Sequence, residues 1–313
     1  MSFVSSVPTT LTMPPVGRAS WRAVLANRLV ASGLSIIGAL VLIALCAGVA
    51  APHDPAEQYA DGLDEDGMPL PPSLRFPLGT DSLGRDVLSR TLHGSRISLA
   101  VGGVATLTAL LVGVLVGLYA GYYGRWVDAL LMRFTDIMLA LPALLLAIAL
   151  AALMNSKVQD TSWWRPGRGL ISVCLVIGVV SWTEIARVVR GQVLSLKERT
   201  FIEAARAIGC SHRRIVWWHL LPNVMPAIIV LSTMSIAGTI LLEAGLSYLG
   251  VGVPPPAPSW GTMISDGQPY LVAAPWQVLP PGIAIILTVL GFNLLGQGLQ
   301  DVLDPYHQKR SQN

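Results

Sequence analysis

Charge is the scarcest thing in this 313-residue sequence. Only 12% of residues are Asp, Glu, Lys or Arg, while 53% are hydrophobic, against roughly 25% charged in a soluble domain. That balance excludes an ordinary soluble enzyme and points to a chain that crosses a membrane several times. Cysteine is nearly absent. Cys46, Cys174 and Cys210 lie far apart with no CxxC pair, so neither a disulfide framework nor a metal site follows, and Cys46 and Cys174 read as small apolar residues inside helices. Lysine occurs three times, after Ser156, Leu196 and Gln308. A phosphate-cradling GxxxxGK[ST] loop needs Gly before Lys, so it is excluded. No HExxH, catalytic triad or strand-borne GxGxxG is visible. The acidic run at Asp64–Gly67 fails as a calcium loop, because the first-ligand position falls on Gly62 and the twelfth on Ser73.

What remains divides into apolar spans. Residues 1–28 form a polar arm whose Arg18, Arg22 and Arg28 put it in the cytoplasm. The first span is 29–51. Its apolar run is too long for a cleaved signal peptide, so it reads as an uncleaved anchor. An outer loop follows over 52–96, Pro-rich and acidic at first. It then carries an apolar stripe of Leu83, Val87, Leu88 and Leu92 with Arg85 and Arg90 off it, which predicts an amphipathic helix along the membrane surface. The second span is Ile97–Tyr123. Its Gly113, Gly117 and Gly121 recur every four residues and suit close helix packing within the chain. A short inner turn with Arg125 and Arg133 precedes a third span, Phe134–Met154, kinked at Pro142. The connection 155–168 is external. The fourth span begins at Gly169 and continues as one helix past Glu184, Arg187 and Arg190 into the cytoplasm. The fifth is Val224–Leu249, the sixth Val278–Leu299, and 302–313 is a cytoplasmic tail. Inner segments hold 14 of the 21 Lys and Arg residues and outer segments seven. The positive-inside bias therefore favours six transmembrane helices, all-α, with both termini in the cytoplasm. Trp182, Trp217, Trp218 and Trp260 are expected at interfaces. Asp136 and Glu184 fall near span ends, where the interface can solvate them. Glu243 lies well inside the fifth span and is either a pathway group or a carboxylate tying two helices together.

The stretch from Ala186 to Asn223 carries seven of the basic residues. It reads as two short helices. The first bears an apolar face of Phe201, Ala204, Ala205 and Ile208 and ends at Gly209. Ser211 caps the second, which carries Ile215, Trp218 and Leu221 and stops at Pro222. A small face on a basic loop suits docking into another protein's groove.

The order Glu203-Ala204-Ala205, three residues, Gly209, then Leu221-Pro222 resembles the EAA loop of the permease subunits of ABC importers. His219 stands where that pattern usually has Ile, as it often does in the peptide and nickel branch. Three further segments are similar to the C-type permease of that branch: GTDSLGRDVLSR, Ser247–Met263 and Phe292–Pro305. In the last, Gln297 and Gln300 replace what are commonly Asp and Arg. The resemblance covers roughly residues 75–305. It implies a type I importer transmembrane domain over 97–301 whose loop 186–223 seats in a cleft of an ATPase. Glu203, Ala204, Ala205, Arg206, Gly209, His219, Leu221 and Pro222 would be the coupling residues. It also implies a second homologous permease, one or two ATPase subunits and an extracytoplasmic substrate-binding protein as partners in the lipid bilayer, with no nucleic acid. No cofactor is expected on this chain, and ATP and Mg would sit on the partner subunits. The cargo implied is a di- or oligopeptide, with nickel or another small solute as the alternative. A reading of another class is a single-chain secondary transporter driven by an ion gradient. It would show inverted repeats and paired ion-site acids, and neither is visible.

Overall fold

The computed structural model describes residues 25–156 and 168–303. The remainder of the N-terminal arm, the connection 157–167 and the tail from 304 lie outside them. The described residues form helices without a strand; only two isolated bridges, Leu63–Pro69 and Thr80–Asp86, pair extended backbone. Five helices are long and apolar enough to cross a membrane, and a pair of shorter helices bent by 93° is apolar enough to make a sixth if the two form one span.

Helix α1, Arg28–Ala50, starts at Asn27, whose Oδ1 accepts from Leu29 N at 2.8 Å. It packs on α10, Leu279–Leu303, backbone to backbone. A Cβ on Gly33 would sit 2.6 Å from Leu295 N, and one on Gly298 2.7 Å from Val30 N. Such proximity needs glycine on both helices and makes α1 part of the bundle.

Helix α2, Val87–Tyr123, runs 37 residues without interruption, about 55 Å. The separate surface helix expected around Leu83–Leu92 does not form. Leu83 precedes the helix and is exposed, while Arg85 and Arg90, expected on a wet face, are buried. Both converge on Asp81: Arg85 Nε donates at 2.7 Å and Arg90 Nε lies 3.2 Å away. Both also reach Asp266 Oδ2, at 3.3 and 3.4 Å. Asp86 caps α2, accepting from Ser89 N at 2.9 Å. The two buried arginines at this end of α2 thus find carboxylate partners, so their charge compels no break before the apolar run.

Helices α3, Arg125–Ala140, and α4, Ala143–Ser156, replace the third span. Arg125 and Arg133 lie in a helix rather than a turn. Pro142 does more than kink the segment, for the two helices meet at 93°. Leu141 is extended, and Pro142 has no N–H to return to the Met138 carbonyl. Helix α5, Arg168–Leu196, continues unbroken well past its apolar run, as its spacing predicts. It lies along α2 on the glycine ladder. A Cβ on Gly113, Gly117 or Gly121 would sit 2.8, 2.7 and 2.7 Å from the Cβ atoms of Ile185, Val189 and Val193. The ladder is an intrachain contact.

Beyond α5 come α6, Thr200–Ala207, and α7, His212–Arg214. A π turn, Ile215–Leu220, then leads into α8, Leu221–Tyr248. Pro222 does not stop the chain. In the π turn Leu221 N–H bonds the carbonyl five residues back, at Val216, and this shifted ladder absorbs a residue without an N–H. One helix therefore leads from His212 to Tyr248. Helix α9, Trp260–Gly267, has a capping box made by Ser259 and Thr262. Trp182 and Trp260, expected at interfaces, are core residues. Trp182 stacks on Phe134 at 6.0 Å between centroids, and Trp260 Nε1 donates to Thr91 O at 3.1 Å.

Candidate functional site

At one end of the bundle the chain turns out of α5 and returns through α6 and α7. The turn is held by Lys197 Nζ, which donates to Gly121 O at 3.3 Å. Helix α6 ends as its sequence predicts. Gly209 has φ +78°, its N–H bonds Arg206 O at 3.0 Å, and Cys210 N–H bonds Ala205 O at 3.0 Å. This is the Schellman arrangement, with glycine taking the left-handed position. Ser211 then caps α7, accepting from Arg214 N at 3.4 Å. His212 Nδ1 lies 2.7 Å from Tyr122 Oη on α2, and the Arg206 guanidinium sits 5.7 Å from the Tyr122 ring centroid. Two ion pairs clamp α3 to α5. Arg190 Nε and Nη2 grip Asp128 at 2.5 and 2.7 Å, and Arg187 Nη2 reaches Asp136 at 3.0 Å.

The apolar face expected on α6 divides in two. Ile202 and Ala205 point inward and join Ile215, Val216, Leu220, Val189 and Val193 in one buried cluster. Phe201, Ala204 and Ile208 point outward, Ile208 with 80% exposure. Ala205 therefore anchors the helix to its own chain, a correction to its expected place on the docking face. Glu203, Ala204, Arg206 and Gly209 are exposed on α6 and its cap; a Cβ on Gly209 would meet nothing within 4 Å. His219, Leu221 and Pro222 lie apart from this surface, at the join of the π turn and α8. There the His219 carbonyl accepts from Asn223 Nδ2 at 2.6 Å, and Leu221 packs against the buried cluster. Trp217 and Trp218, expected at an interface, are exposed, and with Arg213 and Arg214 they line an open depression beside α7 that the interface expectation did not include.

Glu243 is not on that surface. It is fully buried in α8, where its carboxylate accepts from Ser247 Oγ at 2.7 Å and from Ser98 Oγ of α2 at 3.4 Å. Ser98 Oγ in turn accepts from Trp260 N at 3.1 Å, bringing in α9. Within this chain Glu243 ties three helices together. The pathway alternative has no support from its surroundings.

The last three turns of α2, the whole of α5 and the Schellman-capped α6 lie within residues 113–307, which match the family model described as the binding-protein-dependent transport system inner membrane component. The chain belongs to this family. The permease also matches, over residues 16–72, the N-terminal transmembrane domain of oligopeptide transport permease C. It is 41% identical to the dipeptide transport system permease protein DppC of Alkalihalophilus pseudofirmus, over 92% of this chain and 89% of that one. It is 42% identical to the glutathione transport system permease protein GsiD of Escherichia coli O6:K15:H31, over 91% and 89%. The inward-facing MetNI methionine ABC transporter shares its fold, with a TM-score of 0.53 at 21% identity over 69% of this chain and 96% of that one. The permease is thus a multi-pass component of an ABC importer in the bacterial inner membrane.

Proposed function

We propose that this permease imports di- or oligopeptides together with a second, homologous permease, and that α6 is the element through which ATPase subunits drive it. The cargo reading rests on the two curated relatives, one named for dipeptide and the other for glutathione transport, and on the match to the oligopeptide transport permease C domain. The coupling reading rests on one observation above all. Helix α6 is fixed to the chain by Ile202 and Ala205, yet turns Phe201, Ala204 and Ile208 to the outside. A short, rigidly seated helix with an uncovered apolar face transmits a push without absorbing it.

In this reading the α6 end is cytoplasmic and both termini lie on that side, in keeping with the excess of Lys and Arg there. ATP and Mg are held by the partner ATPases. Closure of those subunits displaces α6, and the stiff links to α5, α2 and α3 carry the displacement into the spans. These links are the Gly117–Val189 and Gly121–Val193 contacts and the Arg190–Asp128 pair. A substrate-binding protein delivers peptide at the opposite end. The experiment is extraction of the tagged permease in mild detergent, with identification of every chain retained. Retention of a second permease and of ATP-hydrolysing chains, lost on Ala204→Trp, is expected. Retention unchanged in that variant refutes α6 as the coupling element.

A further inference from the structure

At the end of the bundle remote from α6, the base of α2 meets α9 and the turn that follows it. Arg85 and Arg90 reach Asp266 Oδ2 at 3.3 and 3.4 Å. Trp276 Nε1 donates to Thr80 O at 3.3 Å, and a Cβ on Gly79 would sit 2.6 Å from the Trp276 ring. Gln277, in the 3-10 turn Pro275–Gln277, packs on the end of α9. A Cβ on Gly267 would lie 2.9 Å from that of Gln277.

Gln277 is the anomaly of this joint. It is only 2% exposed, yet neither its Oε1 nor its Nε2 has a hydrogen-bond partner among the described residues. Buried amide atoms are seldom left so, since each loses its bonds to water on folding and gains none in return. The side chain lines a cavity of about 10 Å³ together with Asp81, Val87, Arg90, Met263 and Asp266. That is about the least space that holds one water molecule, and it holds nothing larger.

The charge of the lining selects the occupant. Asp81 and Asp266 are balanced by Arg85 and Arg90, each of which pairs with both. Asp86, further along, is turned to Ser89 as the cap of α2 and is not part of the lining. A cation would meet the Arg90 guanidinium, and an anion would meet two carboxylates. A neutral molecule that both donates and accepts meets neither penalty. Hydrogen-bonding capacity is left for it: Asp266 receives both arginines on Oδ2, which leaves Oδ1 to accept. The Gln277 amide can turn either its oxygen or its nitrogen to the cavity. A buried water needs two to four such partners. Asp266 is also 44% exposed, so solvent reaches the cavity along its carboxylate.

We infer that this cavity is a binding site for one ordered water molecule, held by the Gln277 amide, Asp266 and Arg90, and that this water completes the joint between α9 and α2. It gives a buried amide its partner. It also links Gln277 to an ion cluster with which the side chain forms no direct hydrogen bond. The site depends neither on the cargo nor on the role of α6.

Two measurements on the complete transporter test it. The first is the density of the wild type at a resolution that shows ordered waters. A single peak about 2.7–3.2 Å from a Gln277 amide atom and from Asp266 is expected. An empty cavity overturns the assignment. So does a peak about 2.0–2.4 Å from several oxygens, which is the signature of a metal cation. The second is thermal melting of Gln277→Met, which keeps the length of the side chain and removes both polar atoms. With water bound, this variant strands it against Asp266 and Arg90, and Tm should fall by about 2–4 °C. Without water, the same change only relieves an unpartnered buried amide, so a Tm equal to or above that of the wild type overturns the assignment.

Discussion

Two adjacent alanines separate the fold of this permease from its proposed coupling to ATPase subunits. Ala205 is buried among Ile202, Ile215, Val216 and Leu220, and Ala204 is exposed beside Phe201 and Ile208. Ala205→Leu would force three extra carbon atoms into that cluster, and overpacking a close-packed site of this kind costs about 1–3 kcal/mol. Ala204→Leu adds the same atoms on the outside of the chain, where substitutions change stability by about 0.5 kcal/mol or less. Thermal melting of each detergent-purified variant, followed by size-exclusion chromatography, reads the first effect. Retention of ATPase chains on the tagged permease reads the second. The expected result is a lowered Tm for Ala205→Leu alone, and ATPase loss at unchanged Tm for Ala204→Leu. An unchanged Tm for Ala205→Leu, with full ATPase retention in Ala204→Leu, would refute the assignment of the two faces. Phe201→Ala and Ile202→Ala form a matching pair, since Phe201 points out and Ile202 in.

Further substitutions probe the neighbouring elements. Gly209→Ala places a Cβ in open space at φ +78°, so its cost is conformational, about 1–2 kcal/mol. It should lower ATP-driven uptake with normal membrane insertion, measured by transport per inserted chain. Gly117→Val would collide with the Ala186 carbonyl and Val189, and should reduce both abundance in the membrane and Tm. Glu243→Ala leaves the Ser247 and Ser98 hydroxyls without their acceptor, at about 1–3 kcal/mol. Glu243→Gln keeps an acceptor and should recover most of that loss in the same melting assay.

Much of this architecture is legible in the sequence where the governing physics is local. Gly209 and Ser211 mark a helix end and the next beginning because positive φ and a hydroxyl acceptor are properties of single residues. The four-residue glycine repeat of α2 forecasts its tight contact, and the continuous helical spacing past Trp182 forecasts the extended α5. Where long-range partners decide, the sequence is misleading. Arg85 and Arg90 read as solvent-facing because their pairing needs the fold: Asp81, near in sequence, is itself buried, and Asp266, the second carboxylate, lies about 180 residues away. The same hidden pairing lets α2 start at Val87 instead of Ile97. Pro222 reads as a stop, since nothing local announces the π turn that accommodates it, and Pro142 reads as a kink because the size of a break depends on what packs on either side. Of the residues proposed for coupling, Glu203, Ala204 and Gly209 share one exposed surface. Motif order cannot distinguish Ala204 from Ala205, because two neighbouring alanines share composition and differ only in which way they face.

The most direct test of the account is to reconstitute everything that co-purifies with the tagged permease and to measure uptake of a labelled dipeptide, first with ATP supplied on the α6 side and then with only an ion gradient. The account predicts uptake with ATP, abolished by Ala204→Trp, and none with the gradient. Gradient-driven uptake by the chain alone, with no ATP requirement, would contradict it.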